Sequence, residues 1–118
     1  MSNAALHHKI TYIEFTTTDI ESTKKFYSTV FGWSFKDWGP DYIDFTSGIG
    51  GGFCKAKGPV QPSDSAPLVV IYSKNLAETE KAVITAGGKI TTPTFEFPGG
   101  KRFHFNDGLG NTLGVWSE

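Results

Sequence analysis

An internal repeat restricts the fold of this chain more than any other feature: sliding the sequence by 56 residues lays positions 12–32 on positions 68–88 without a gap. Asp19 meets Asn75, Ile20 meets Leu76, Thr23 meets Thr79, Lys25 meets Lys81, Thr29 meets Thr85 and Gly32 meets Gly88. Four identities would be weak alone, but a helix cap, an apolar stripe and a terminator in one register mark two copies of one structural unit. In the first copy, Ile13 and Phe15 alternate with Tyr12, Glu14 and Thr16 within residues 9–18, the period of a half-buried strand. Asp19 offers a side-chain oxygen to the free N–H groups of a helix start. Ile20, Thr23, Tyr27, Val30 and Phe31 follow at helical spacing, and Gly32 can take the left-handed conformation that ends a helix. The second copy repeats this order, with a strand at 68–73, Asn75 as N-cap, Glu78 completing a capping box, and Gly87-Gly88 as the stop.

Three short strands are expected after each helix: 33–38, 42–46 and 51–56 in the first copy, and 89–92, 102–106 and 112–117 in the second. Between the copies KGPVQPSDSAP, residues 57–67, carries three prolines and reads as a linker. The expected architecture is α+β, two tandem βαβββ modules at about 9–56 and 68–118 within a single domain at 9–118. A helix covers only one face of each four-stranded sheet, so pairing the modules edge to edge would leave a curved mixed-sheet cup with the helices outside. Such a cup suits a small molecule.

A chain of 118 residues can bury roughly two thirds of the surface its unfolded form exposes, so one sizeable core is expected. A formal charge of −1 offers no basic field for nucleic acid, and no apolar run approaches the roughly 18 residues that a membrane helix needs. The expected partner is a small organic molecule, with no nucleic acid and no membrane. The single cysteine, Cys54, excludes an intramolecular disulfide and suits a reducing, cytoplasmic location. Residues 1–8 read as a tag remnant or a disordered terminus, Met1-Ser2-Asn3-Ala4 having the look of an expression tag, and His7 and His8 carry little weight as a metal pair.

ITYIEFTTTDIESTKKFYSTVFGW and FNDGLGNTLGVW resemble the two signature ends of the vicinal oxygen chelate superfamily, which includes glyoxalase I, extradiol dioxygenases, and fosfomycin and bleomycin resistance proteins. With GIGGGF in the first half and a Pro-rich linker before the second, the chain is most similar to the small bacterial glyoxalase-related branch. The resemblance implies the glyoxalase-like fold and, in metal-using members, His, Gln or Glu ligands from the first and last strand of each module. The first ligand position falls on Tyr12, its counterpart on Leu68, the carboxylate of the last strand on Gly114, and the remaining one on Phe53 or Cys54. Leu68 and Gly114 have no donor atom, so the expectation is no metal and no cofactor. The resemblance also implies a homodimer, consistent with open sheet edges and an aromatic content of 14%.

Strand alternation puts Tyr12, Glu14 and Thr16 on one face, Leu68, Val70 and Tyr72 on the corresponding face, and Thr112, Gly114 and Trp116 on the last strand. By likeness to glyoxalase I, Arg102 and His104 face the cup while Phe103 and Phe105 pack under the helices. As candidate catalytic groups, His104 titrates near neutrality, Arg102 can clamp a carboxylate, and Glu14 is either a proton acceptor or the ion-pair partner of Arg102, the pair being preferred. Either Trp33 lines the cup and Trp38 sits at a rim or dimer contact, or the reverse. Tyr12 and Tyr72 either orient a ligand through their hydroxyls or simply pack. Cys54 reads as a small buried residue, because no base is visible to activate it.

GLGNTLG is no phosphate loop, since its glycines precede no helix; residues 107–111 read as the connection between two antiparallel strands. Pro98-Gly99-Gly100 reads as a flap over the cup or an ordinary loop. The leading reading is a metal-free binder of a small organic ligand in an aromatic cup. The alternatives are a metal-independent isomerase or lyase using His104 or Glu14 with Arg102, and a metal-dependent enzyme like lactoylglutathione lyase with unconventional ligands.

Overall fold

The computed structural model describes residues 4–63 and 65–118. The first three residues of the supposed tag therefore lie outside the described residues, and Ala4–Leu6 form one 3-10 turn. The first module runs β1 (Tyr12–Thr17), α1 (Ile20–Phe31), β2 (Phe35–Asp37), β3 (Tyr42–Ser47) and β4 (Ile49–Lys55). The second runs β5 (Val69–Tyr72), α2 (Leu76–Thr85), β6 (Lys89–Phe97), β7 (Gly100–Asn106) and β8 (Thr112–Ser117). Each forms a four-stranded sheet of the same topology, β1-β4-β3-β2 and β5-β8-β7-β6. In both, the first strand is parallel to the last and the others are antiparallel. This is the tandem βαβββ arrangement expected from the repeat.

The repeat extends to side-chain contacts. Asp19 accepts from the Ser22 N–H at 2.9 Å and Asn75 from the Glu78 N–H at 3.2 Å, so both helices start on a filled cap. Behind each cap two hydroxyls meet at 2.7 Å, Thr17 with Thr23 and Ser73 with Thr79, tying the end of the strand to the first turn of the helix. The ends differ. Gly32 caps α1 in the left-handed region at φ 72°. The second helix stops two residues earlier, at the Ala86 cap, and Gly87 rather than Gly88 takes the positive φ.

The core lies on the helix side of both sheets. Ile43, Phe53, Val83, Phe103, Phe105, Leu113 and Val115 are wholly buried there. Helix α1 presents Ile20, Thr23, Phe26 and Tyr27 to it. The Phe26 ring lies 5.9 Å from Phe105 of β7, and the Tyr27 ring 5.1 Å from Phe53 of β4, so this helix joins the cores of both modules. The Tyr27 hydroxyl also donates to Asp107 at 2.8 Å across the modules.

Two sequence expectations are corrected here. Trp33 precedes β2 and turns toward the helix, where it stacks between Tyr27 at 5.1 Å and Phe45 at 4.5 Å, so it packs against the core and not on the helix-free face. Pro98-Gly99 is no flap: β6 extends to Phe97, which pairs with Gly100, and the prolyl-glycyl pair closes a tight hairpin.

Candidate functional site

The faces left bare by the helices carry the alternation predicted for them. On β1 the residues Ile13, Phe15 and Thr17 are the more buried set, and Tyr12, Glu14 and Thr16 are exposed. On β7 Phe103 and Phe105 are buried in the core, which puts Arg102, His104 and Asn106 on the opposite face. On β8 Trp116, Gly114 and Thr112 stand in register with Arg102, His104 and Asn106.

A cavity of about 680 Å³ opens between the modules. It gathers Glu14 and Thr16 from β1, Leu68 ahead of β5, His104 from β7 and Thr112 from β8. Val60 to Ser63, Ala66 and Pro67 of the Pro-rich segment line it as well, so the stretch that reads as a plain linker walls the site. Val60 presses on Gly110, where a side chain would collide with it; the φ of 107° there also suits glycine. Two bonds hold this end of the seam: the Asn111 Nδ2 donates to the Thr16 carbonyl at 3.0 Å, and the Thr18 N–H to the Leu109 carbonyl at 3.3 Å. A second cavity of about 440 Å³ borders the other end, and there Val70 and Tyr72 meet Trp33. Tyr12, Arg102, Gly114 and Trp116 line neither cavity but lie on the same bare faces.

Glu14 and Arg102 do not pair. Glu14 accepts from the Tyr42 hydroxyl at 2.9 Å, and Tyr42 in turn is hydrogen-bonded to the Tyr12 hydroxyl. Arg102 lies instead over the rings of Phe95 and Phe97, 5.2 and 5.5 Å from their centroids, a cation–π placement. The opposite charges were expected to pair, but they stand on different sheets, and Tyr42 of β3 reaches Glu14 first. Tyr42, Phe95 and Phe97 are site-face residues that the sequence reading missed. Alternation along residues 42–46, with Ile43 and Phe45 apolar, would have found Tyr42. Trp38 stands outside the core, 56% exposed, with its Nε1 donating to Asp44 at 2.8 Å. Tyr72 donates to Glu118 at 2.7 Å, which raises its pKa, and packs edge-on against Trp116. Burial first, and then hydrogen bonds to Tyr12 and Glu14, raise Tyr42 well above the usual phenol range, so it acts as a donor and not as a base.

Burial, and after it the positive charge of Arg102, lowers the pKa of His104 from its ordinary value of 6.5. The unfolded chain then binds more protons than the folded one once the pH drops through that ordinary value. Stability owed to neutral His104 is complete above about pH 6.5 and is lost as the pH falls through the lower folded pKa. Melting temperatures between about pH 7.5 and 5 should therefore fall more steeply for the native chain than for His104→Gln. Parallel profiles would show that His104 contributes no such term.

The resemblance calls for a metal ligand at four positions, and the structure fixes the fourth. Glu14 is in register with Gly52 and Val70 with Gly114, and Glu14 and Val70 are repeat mates, so Gly52 is the first-module counterpart of Gly114. Phe53 is wholly buried in the core and Cys54, two residues past the position, is in register with Thr16 instead of Glu14, which corrects both assignments. The hydroxyls of Tyr12 and Tyr42 fill the space where a side chain at Gly52 would stand. One phenol, a leucine and two glycines make a donor set that fits no divalent metal, and among the described residues no three His, Cys, Asp or Glu side chains converge.

The chain is 25% identical over 114 residues to the protein CFP32 of Mycobacterium bovis and of Mycobacterium tuberculosis, whose name assigns it provisionally as a glyoxylase. The aligned part covers 89% of this chain and 44% of CFP32, so the chain spans about half the length of these curated relatives. A glyoxalase-related enzyme from Fulvimarina pelagi superposes with a TM-score of 0.79 at 18% identity, covering 94% of this chain and 88% of that one. The fosfomycin resistance protein FosX from Mesorhizobium loti superposes with a TM-score of 0.76 at 13% identity, covering 94% and 92%. At these identities the two structures establish a shared fold. Residues 9–115 match the sequence profile of the Glyoxalase/Bleomycin resistance protein/Dioxygenase superfamily, and the chain belongs to that superfamily.

Proposed function

We propose that the chain binds a small organic molecule in the cavity between its two modules and does so without the superfamily's metal. The observation that carries this reading is the combination at the site: the metal positions are Tyr12, Gly52, Leu68 and Gly114, while about 680 Å³ of cavity remains beside them with Glu14 and His104 as the ionisable groups of its lining. A concavity in which polar groups converge between apolar walls such as Ile13, Phe15 and Leu68 is a common form of small-molecule site. FosX, a resistance protein of the same fold, supports the idea of a scaffold that serves drug-like molecules.

Ligand binding to the native state alone stabilises it, by about 2.7 kcal/mol at a hundredfold excess over Kd. Metal-stripped protein should therefore melt several degrees higher with a fitting aromatic ligand, and adding divalent metal should leave that gain unchanged. A gain that appears only with metal would overturn the metal-free reading, and no gain across a chemically broad ligand panel would overturn binding at this cavity.

A second reading rests on His104. Its lowered pKa keeps the ring neutral near pH 7, and it lines the same cavity as Glu14, so a metal-independent isomerase or lyase could use it as a general base. Turnover of any substrate found for the chain that survives intact in His104→Ala would remove His104 from that role.

A further inference from the structure

The two charges that sequence reasoning would pair stand on different sheets, and each is left with unused hydrogen-bonding capacity. On the first sheet, Tyr42 gives its proton to Glu14 Oε1, so the proton between the two phenols comes from Tyr12. That leaves a lone pair on the Tyr12 oxygen, together with Glu14 Oε2, which has no hydrogen-bond partner among the described residues. The group is acceptor-only and negative, and Tyr12 is 47% exposed. Asp44 of β3, taken up by Trp38, adds a second carboxylate to this sheet.

The second sheet presents the opposite chemistry. Arg102 makes no hydrogen bond or ion pair to any described residue, and its Nε is buried without an acceptor. His104, two residues along the same face, has its Nε2 buried without a partner as well. Donors in such positions are ordinarily satisfied. The aromatic rings of Phe95 and Phe97 hold the guanidinium flat and supply no acceptor beyond their faces. One side of the seam therefore lacks a cation and the other lacks an anion.

We propose that the site takes an amphoteric ligand, an apolar or aromatic body whose protonated amine meets Glu14 and Tyr12 and whose carboxylate or similar anion meets Arg102 and His104. This rests on the reading that the space between the modules binds a small organic molecule, here reaching from the cavity lined by Glu14 and His104 onto the bare faces that carry Tyr12 and Arg102, and it names the chemical class. A purely anionic ligand would meet the uncompensated Glu14, and a purely cationic one the uncompensated Arg102. Matching both signs removes either penalty and selects against single-charge molecules. Because the two groups belong to different sheets, charges at opposite ends of the ligand fit better than charges on one carbon.

Calorimetric titration at pH 7 with five probes tests this: 4-(aminomethyl)benzoate, 4-methylbenzoate, 4-methylbenzylamine, neutral 4-methylbenzyl alcohol, and phenylalanine, whose charges are adjacent. The amphoteric benzoate is expected to bind at least about tenfold more tightly than each singly charged probe and than phenylalanine, a difference of roughly 1.4 kcal/mol. Glu14→Gln, which keeps an acceptor for Tyr42, should erase its advantage over 4-methylbenzoate. Arg102→Gln should erase its advantage over 4-methylbenzylamine. Both substitutions should change binding of the neutral alcohol far less than binding of the amphoteric probe. If the alcohol binds as well as the amphoteric probe, or both substitutions weaken all probes equally, the charge assignment is overturned while the cavity remains a binding site. If no probe binds, the alcohol included, both readings fall together.

Discussion

Phe53→Ala is expected to destabilise the chain by about 3–5 kcal/mol, the usual loss for a buried aromatic residue replaced by alanine. Phe53 is wholly buried at the centre of β4, between Phe15 of β1 and Ile43 of β3. Its ring lies 4.9 Å from Phe15, 5.1 Å from Tyr27 and 5.5 Å from Phe45, so its removal opens a cavity that three rigid rings cannot collapse into. The next residue, Cys54, points to the opposite face, and Cys54→Ala should cost less than about 1 kcal/mol. Urea unfolding of the two variants checks more than packing. A strand slipped by one residue moves every side chain to the other face, so the reverse order of losses would overturn the register that puts Gly52 at the empty metal position.

That register is the part of the site the sequence could not reveal. In GIGGGF the glycines carry no apolar alternation, so nothing local says which of them faces the cup. The answer comes from pairing with β1, some forty residues away in sequence, which sets Glu14 against Gly52. The helix starts, by contrast, were legible to the residue. Asp19 and Asn75 act through their own side chains on N–H groups three residues on, and the hydroxyl pairs behind them repeat in both modules. Trp33 misled because alternation was counted from residue 33, whereas β2 begins at Phe35 and the backbone leaving Gly32 turns the indole toward Tyr27. The Glu14–Arg102 pair misled for a different reason: attraction between opposite charges is not geometry, and a phenol of β3 was nearer. The linker was recognised by its prolines, but composition gives no hint that Val60 would seat against Gly110 and wall the cavity.

Asp107→Ala should cost about as much as Phe53→Ala, on the order of 3–5 kcal/mol, because it removes the one acceptor that four donors share, leaving them unpaired at about 1–3 kcal/mol for each that stays buried. Asp107 is only 4% exposed. Its carboxylate accepts from the Tyr27 hydroxyl at 2.8 Å, the Leu109 N–H at 2.7 Å, the Asn111 N–H at 3.1 Å and the Asn111 Nδ2 at 3.2 Å. The turn that joins β7 to β8 is thus wound around one side chain, and α1 of the other module is bonded to the same group. Tyr27→Phe removes only one of the four donors and should cost about 1–2 kcal/mol, since the carboxylate keeps the rest. The consequences for binding should differ even more. Leu109 and Asn111 in this turn hold Thr18 and Thr16 of the first module, at the edge of the cavity that Thr16 and Asn111 both line. Loosening the turn frees that edge, so Asp107→Ala should weaken a cavity ligand beyond what its lost stability explains, whereas Tyr27→Phe should leave affinity unchanged. Urea unfolding paired with titration of 4-(aminomethyl)benzoate separates the two roles; equal small losses in both variants would mean that the turn does not hold the modules together.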